Sequence, residues 1–315
     1  TTFVRDGLYN KLHIMRAVFK RAFWIVIFLD GIVLSAQLPT LVISEDIASD
    51  RVFSSDTVYQ LDGFIYVMNS ATLTIEAGTL IQGHINGSGQ NTMGSLIISR
   101  DGFIDARGTS CSPIVFTSAK PIGQRGEGDW GGLVILGEAT INSGTDQGGY
   151  FTDVLEGGFS GNVAYRTYGG NDDQDSSGVL SYVRLEFSGA ELAPFEEINA
   201  LTLAGVGDRT QLDRIMVTYA GDDAFEMLGG TVNATHLIAH RTRDDNFDCA
   251  QGYRGQVQWG ITYQDANTAD ISRSEGWETD NDNSDPSATP RTAPKVSNVT
   301  LIGPKATGTP SSLHH

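Results

Sequence analysis

A chain of 315 residues with 40% hydrophobic side chains can bury a continuous core, and its 37 glycines with few helical segments point to an all-β fold rich in turns. The formal charge of −17, from 21 Lys and Arg against 38 Asp and Glu, argues against nucleic acid as a partner, because affinity for a phosphate backbone comes from basic side chains. Cations and neutral or polar ligands suit such a surface better.

Met15-Arg-Ala-Val-Phe-Lys-Arg21 is a positive segment, Ala22 to Leu34 a short apolar one, and Leu34-Ser35-Ala36 offers small residues for cleavage before Gln37. Residues 15–36 therefore read as a helical secretory signal peptide, and residues 1–14 as an upstream extension outside the fold. The apolar segment, broken by Asp30, is shorter than the roughly 20 residues that span a bilayer, so no integral membrane domain is expected after cleavage. Residues 37–60 read as an N-terminal linker or cap. Cys111 and Cys249 match neither a zinc nor a thioredoxin-like spacing and are expected as two free thiols in the core, a bridge requiring an oxidising compartment.

From about Leu61 onward, short β-branched runs alternate apolar and polar residues and close on glycine, asparagine or aspartate. Ala71 to Gly83, Gly94 to Gly108, Pro113-Ile-Val-Phe-Thr117, Gly132-Leu-Val-Ile-Leu136, Leu180 to Phe187, Ala200-Leu-Thr-Leu203, Leu212 to Tyr219, His236 to His240, Val257 to Tyr263 and Val296 to Ile302 are such runs. Two-residue Asn-Gly hairpin signals are largely missing between them, so strands one coil apart are expected to pair in parallel. A register supports this: Tyr219-Ala-Gly-Asp222-Asp223-Ala-Phe225-Glu226 returns 22 residues later as Arg241-Thr-Arg-Asp244-Asp245-Asn-Phe247-Asp248. Residues 61–315 are therefore expected to form a right-handed parallel β-helix, a solenoid in which Phe225 and Phe247 stack as inward layer mates. A β-sandwich is the rival, but it has no reason to keep such a register. Asn142 to Gly178 and Asp265 to Pro294 break the period and read as projecting loops. A solenoid ending soon after a strand run, with no polar cap, is expected to be truncated at its C-terminus.

The same register stacks acids. Asp222 falls over Asp244, Asp223 over Asp245 and Glu226 over Asp248, and Ser274-Glu275-Gly-Trp277-Glu278 continues the pattern. Two unit charges one strand spacing apart, about 4.8 Å, repel by about 0.9 kcal/mol in water and about 3.5 at an effective dielectric of 20, so a cation, an arginine or a raised pKa must answer them. Arg241, Arg243 and Arg254 are the nearest candidate partners in sequence. Calcium, which takes 6 to 8 oxygen ligands, gives Asp222, Asp223, Glu226, Asp244, Asp245, Asp248, Glu275 and Glu278 as a metal-binding set. Solvated turn acids are the plain alternative. A third reading makes Asp222, Asp223, Asp244 and Asp245 catalytic, as paired carboxylates on a glycosidic bond. Asn171 to Asp175 and Asp280 to Ser284 alternate oxygen ligands but lack the glycine and glutamate of an EF-hand. Trp130, Trp259 and Trp277 are candidate platforms for a sugar ring, although an aromatic beside a glycine corner more often plugs a solenoid layer. His236 and His240 share a strand about 13 Å apart, too far to chelate one ion, and read as surface or stacking residues.

Leu73-Thr-Ile-Glu-Ala-Gly-Thr79, Pro113-Ile-Val-Phe-Thr-Ser118, Gly128-Asp-Trp-Gly-Gly-Leu-Val-Ile-Leu-Gly137, Tyr168-Gly-Gly-Asn-Asp172, Glu197-Ile-Asn-Ala-Leu-Thr-Leu203 and the two Asp-Asp strings resemble a family of secreted or lipid-anchored β-helix surface proteins of Bacteroidota and other Gram-negative bacteria. The resemblance runs from about residue 60 to 304. It implies a pectin-lyase-type right-handed solenoid at the cell surface, in the outer membrane or outside the cell, and brings no agreed catalytic residues. The Gly-His-Gly and Arg-Ile-Lys strings of polygalacturonase-like enzymes are missing here. The expectation is thus an exported, noncatalytic binding or adhesion scaffold, stabilised by calcium, for a polysaccharide or a host or neighbour surface ligand. A polysaccharide lyase or glycoside hydrolase using stacked carboxylates is the alternative, and a structural spacer the third.

Overall fold

The computed structural model describes residues 38–85, 93–155, 159, 161–193, 196–270 and 273–304. The segments expected as an upstream extension (1–14) and a signal peptide (15–36), and the expected truncation after residue 304, lie outside the described residues. Buried and outward positions alternate along most strands of the long sheet, and the described strands gather into a 12-stranded and a 7-stranded sheet, both parallel, together with two small antiparallel ones. This is an all-β, right-handed parallel β-helix, the hand that strand twist imposes on parallel crossovers. No helix among the described residues is long and apolar enough to cross a membrane.

One coil illustrates the winding. The long strand Gln211–Thr218 bends in its middle at Arg214 (φ 57°) and ends at Tyr219 (φ 56°), the acidic turn follows, and the short strand Phe225–Leu228 completes the coil. Gly229 and Gly230, both left-handed at φ 67° and 78°, turn the chain into the next long strand, Asn233–His240. Gln211 pairs with Asn233 and Phe225 with Phe247, each a step of 22 residues. Phe225 and Phe247 are buried and stack at 5.3 Å between centroids, and Trp277 adds a further layer 4.9 Å above Phe247. Each fully buried aromatic of this kind contributes about 1.5–3 kcal/mol.

Winding begins earlier than the sequence indicated. Of residues 37–60, expected as a linker or cap, the described ones from 38 on form the strands Thr40–Ile43 and Arg51–Phe53 and begin Val58–Leu61, with Thr40 paired to Val58 and with Ile43, Ile47 and Phe53 already in the core. The exposed outer positions Leu41, Val42 and Val52 obscure that register in the sequence.

The short sheet is buried on both faces over its first rungs. Ile65, Leu96 and Leu133 point into the solenoid, while Phe64, Tyr66, Ile97 and Val134 point outward into a second core. That second core is completed by Leu155, Phe159 and Tyr168, from the segment expected to project as a loop. The segment carries the short antiparallel strands Thr145–Asp146, Phe151–Val154 and Thr167–Tyr168 and folds back as a wing, seating Phe159 on Phe64 at 4.8 Å.

The thiols divide. Cys249 occupies an inward rung beside Met227 and is buried, whereas Cys111 lies exposed in the loop before Pro113; the expectation of two core thiols fails for Cys111 because its coil is interrupted there by a loop that leaves the solenoid wall.

Candidate acidic cleft

The outward positions of the short sheet form one column: Tyr66, Ile97, Val134, Thr202, Glu226, Asp248 and Glu278 follow one another in register. Apolar members lie under the wing. Where the column turns acidic, the cover ends and a cleft of about 900 Å³ opens. Its described lining holds nine carboxylates, Asp153, Glu197, Asp222, Asp223, Glu226, Asp244, Asp245, Asp248 and Glu278, and neither Lys nor Arg, with Leu155, Phe159 and Tyr168 as an apolar wall.

A second column sits in the turn before the short strands. The side-chain oxygen of Asn199 accepts the backbone N–H of Asp223 at 3.1 Å, Asp223 accepts that of Asp245 at 2.9 Å, and Asp245 accepts that of Glu275 at 2.5 Å. These acids hold the coil-to-coil register of the turn. At the neighbouring position, Asp222, Asp223 and Asp244 bring three carboxylate oxygens within 4.8 Å of one another.

Burial and crowding act in one direction. Desolvation, then the charges of Asp244 and Glu226, push Asp222 well above the usual carboxylate range, and desolvation followed by Asp222, Asp248 and Asp245 does the same to Asp223. Burial lifts Glu226 to about 7 even though Asn199 Nδ2 donates to it at 2.6 Å. Asp248 rises to about 8, first by desolvation and then by Glu226 and Glu278, and Asp245 to about 9, first by desolvation and then by its hydrogen bond with Glu278. The buried Oδ1 of Asp248 has no hydrogen-bond partner among the described residues.

Seven of the eight acids named from the sequence as metal-binding line this cleft; Glu275 does not, and contributes its backbone N–H to Asp245 instead. The four acids named as catalytic lie together in it. The three arginines are elsewhere: Arg241 reaches Asp265, Arg243 reaches Asp270 and Arg254 reaches Asp173, all acids of the flanking loops, so none screens the cleft. Trp130 is sealed in the core, stacked near Phe116 with its Nε1 donating to the Glu186 carbonyl at 2.8 Å, and so cannot meet a sugar face, whereas Trp277 packs one face on Phe247 and is half-buried. Trp259 stands exposed on the opposite sheet. His236 hydrogen-bonds Asp213, and His240 lies between Tyr219, which it meets edge-on, and Tyr263, against which it is tilted.

Asn199, Glu197 and Asp153 were not singled out from the sequence. Asn199-Ala-Leu-Thr202 does align with Asp223-Ala-Phe-Glu226, but at a step of 24 rather than 22, which hides it. Asp153 arrives on the wing, and nothing in its sequence context marks it.

Among curated proteins, none matches this chain. The pectate-lyase-like beta helix domain model matches residues 45–314, covering the solenoid from its first coils through the acidic rungs, and the protein belongs to that family.

Proposed function

We propose that this protein is a binding scaffold whose acidic cleft takes up a divalent cation, calcium by its donor chemistry, through Asp222, Asp223 and Asp244. The observation that carries the reading is the convergence of those three carboxylate oxygens in a lining without a basic side chain. An all-oxygen donor set suits a hard cation, whereas zinc favours nitrogen and sulfur, which the described lining does not offer. The orphaned Asp248 oxygen is a further acceptor waiting for a positive charge. Export to the cell surface, by a signal of the kind residues 15–36 spell, is part of the same reading.

Thermal melting and isothermal titration with calcium and with EDTA test it, on the intact chain and on Asp222→Asn and Asp244→Asn. Calcium at about 100 times its Kd should stabilise the wild type by about 2.7 kcal/mol, and both variants should lose most of that gain. No shift at millimolar calcium sinks the proposal.

A second reading is glycoside hydrolysis, favoured by one observation: Glu226, lifted to about 7, keeps a proton to donate near neutrality while other carboxylates crowd the same cleft. Reducing-end release from a polysaccharide panel, abolished in Glu226→Gln, would establish it in place of the noncatalytic scaffold. Silence in both tests leaves a structural spacer.

A further inference from the structure

The outward column of the short sheet ends in three acids in succession, Glu226, Asp248 and Glu278, each paired with the next across one strand spacing. Their positions follow one another at about 4.8 Å along the solenoid axis, so this part of the column is a straight row of carboxylates. The turn column is different. Asp222, Asp223 and Asp244 converge on one point, and no second trio of acids among the described residues does so. A single small ion suits the converging turn acids, whereas the row suits a ligand whose positive charges are themselves spaced along a line.

Three features of the surroundings narrow that ligand. The Oδ1 of Asp248, the middle member, is buried without a hydrogen-bond partner among the described residues and is an acceptor left for a donor from outside the chain. Beside the row stands the apolar wall of Leu155, Phe159 and Tyr168, with Leu228 partly buried against it, and a bare metal ion gains nothing by covering such a surface. The cleft, about 900 Å³, has room for an organic cation, and its described lining offers no Lys or Arg to compete with one. The row itself is fixed: Asn199 Nδ2 donates to Glu226 at 2.6 Å, and the backbones of Asp248 and Glu278 are paired within the sheet.

We propose that the row binds a linear polyamine with three-methylene spacers, one ammonium to each carboxylate. Four bonds of about 1.5 Å at tetrahedral angles set neighbouring nitrogens roughly 5 Å apart, which matches the rung spacing of about 4.8 Å. The ammonium groups donate to the carboxylate oxygens, Asp248 Oδ1 among them, and the methylenes lie against Leu155 and Phe159. A run of lysines is out of step, because an extended peptide repeats its same-face side chains every ~6.6–6.8 Å. The chain's charge of −17 attracts any polycation without choosing where it settles, so the choice comes from the spacing. The inference goes beyond the calcium reading and does not rest on it, since the calcium ligands are the turn acids and the row belongs to the strands.

The test is calorimetric titration of the intact chain, in EDTA at about 0.15 M ionic strength, with norspermidine, with bis(hexamethylene)triamine and with an acetylated trilysine amide, probes of equal formal charge and different spacing. Norspermidine should bind one to one and about tenfold more tightly than the other two. Glu226→Gln and Asp248→Asn, which keep the side-chain shape and remove a charge, should each weaken it by about tenfold, with melting points in EDTA no lower than that of the wild type. Asp208→Asn, at an exposed acid outside the cleft, removes the same charge and should bind norspermidine as the wild type does. The proposal is overturned if norspermidine does not bind, if the three probes bind equally or the trilysine binds best, if Glu226→Gln and Asp248→Asn bind as the wild type does, or if Asp208→Asn weakens binding as much as they do. With chelator present throughout, each of these outcomes is independent of whether calcium binds.

Discussion

The carboxylate of Asp223 accepts the backbone N–H of Asp245, one coil further along, at 2.9 Å. The acid is therefore a structural acceptor as well as a charge, and substitution can separate the two roles. Asp223→Asn keeps an oxygen in place and removes the charge; Asn199 fills the preceding rung of the same ladder in that way. Asp223→Leu removes both and leaves the buried Asp245 N–H without its acceptor, a loss of about 1–3 kcal/mol. In chelator, denaturant unfolding should show the Asn variant at least as stable as the wild type and the Leu variant less stable by that amount. An Asn variant as unstable as the Leu variant would mean that the charge, not the acceptor, holds the turn.

The cleft acids also set the direction of the pH response. Glu226, Asp248 and Asp245 titrate in the folded protein near about 7, 8 and 9, all lifted first by burial, and in the unfolded chain they return to about 4. Between those limits the folded state binds more protons than the unfolded one. Their contribution is therefore fully present below about pH 4 and is lost as pH rises through the folded values. In EDTA, urea unfolding midpoints should fall steadily from pH 5 to pH 9, and saturating calcium should flatten the fall by taking the place of the protons. Midpoints that climb with pH in EDTA would contradict the assignment.

What could be read from the sequence was whatever repeats at a fixed step. Phe225 over Phe247 and the stacked acids follow from the 22-residue register, and they are where that register puts them. Features that depend on a change of step, or on a distant segment, were hidden. Asn199 is displaced by a 24-residue coil, and the wing reaches the cleft wall through Leu155, Phe159 and Tyr168 from a stretch whose glycine content resembles an open loop. The arginines misled because nearness in sequence is not nearness across a solenoid wall: Arg241 and Arg243 sit on the exposed side of the turn and meet the 265–270 loop. Trp259 lies on a strand while Trp130 sits at a bend and Trp277 in a turn segment, and an irregular glycine-rich context such as Gly128-Asp-Trp-Gly-Gly132 does not disclose which way the indole is turned.

The cysteines offer a simple check of layer assignment. Cys249 points inward on the strand Phe247–Ala250, and burial pushes its thiol well above the ordinary range, while Cys111 is exposed. A thiol reagent at neutral pH should modify Cys111 at once in the native protein and Cys249 only after denaturant is added. Rapid reaction of both would place Cys249 outside the core.

Trp130 is the largest fully buried side chain in the described residues, and its seat is cut from glycine. A methyl group on Gly83 would come within 2.7 Å of the Trp130 Cβ and 2.9 Å of its ring, and because a Cβ cannot rotate away, no change of rotamer relieves the clash. Trp130→Ala empties that layer and strands the Glu186 carbonyl that the indole satisfies, for a loss of about 3–5 kcal/mol. Trp130→Phe, which keeps most of the ring volume but not the N–H, should lose less. Gly83→Ala should destabilise by about 1–3 kcal/mol through overpacking. The exposed Trp259→Ala, in contrast, should stay within about 0.5 kcal/mol of the wild type. Denaturant unfolding of the four variants ranks them, and a Trp130→Ala protein as stable as Trp259→Ala would show that the indole at position 130 does not plug the solenoid.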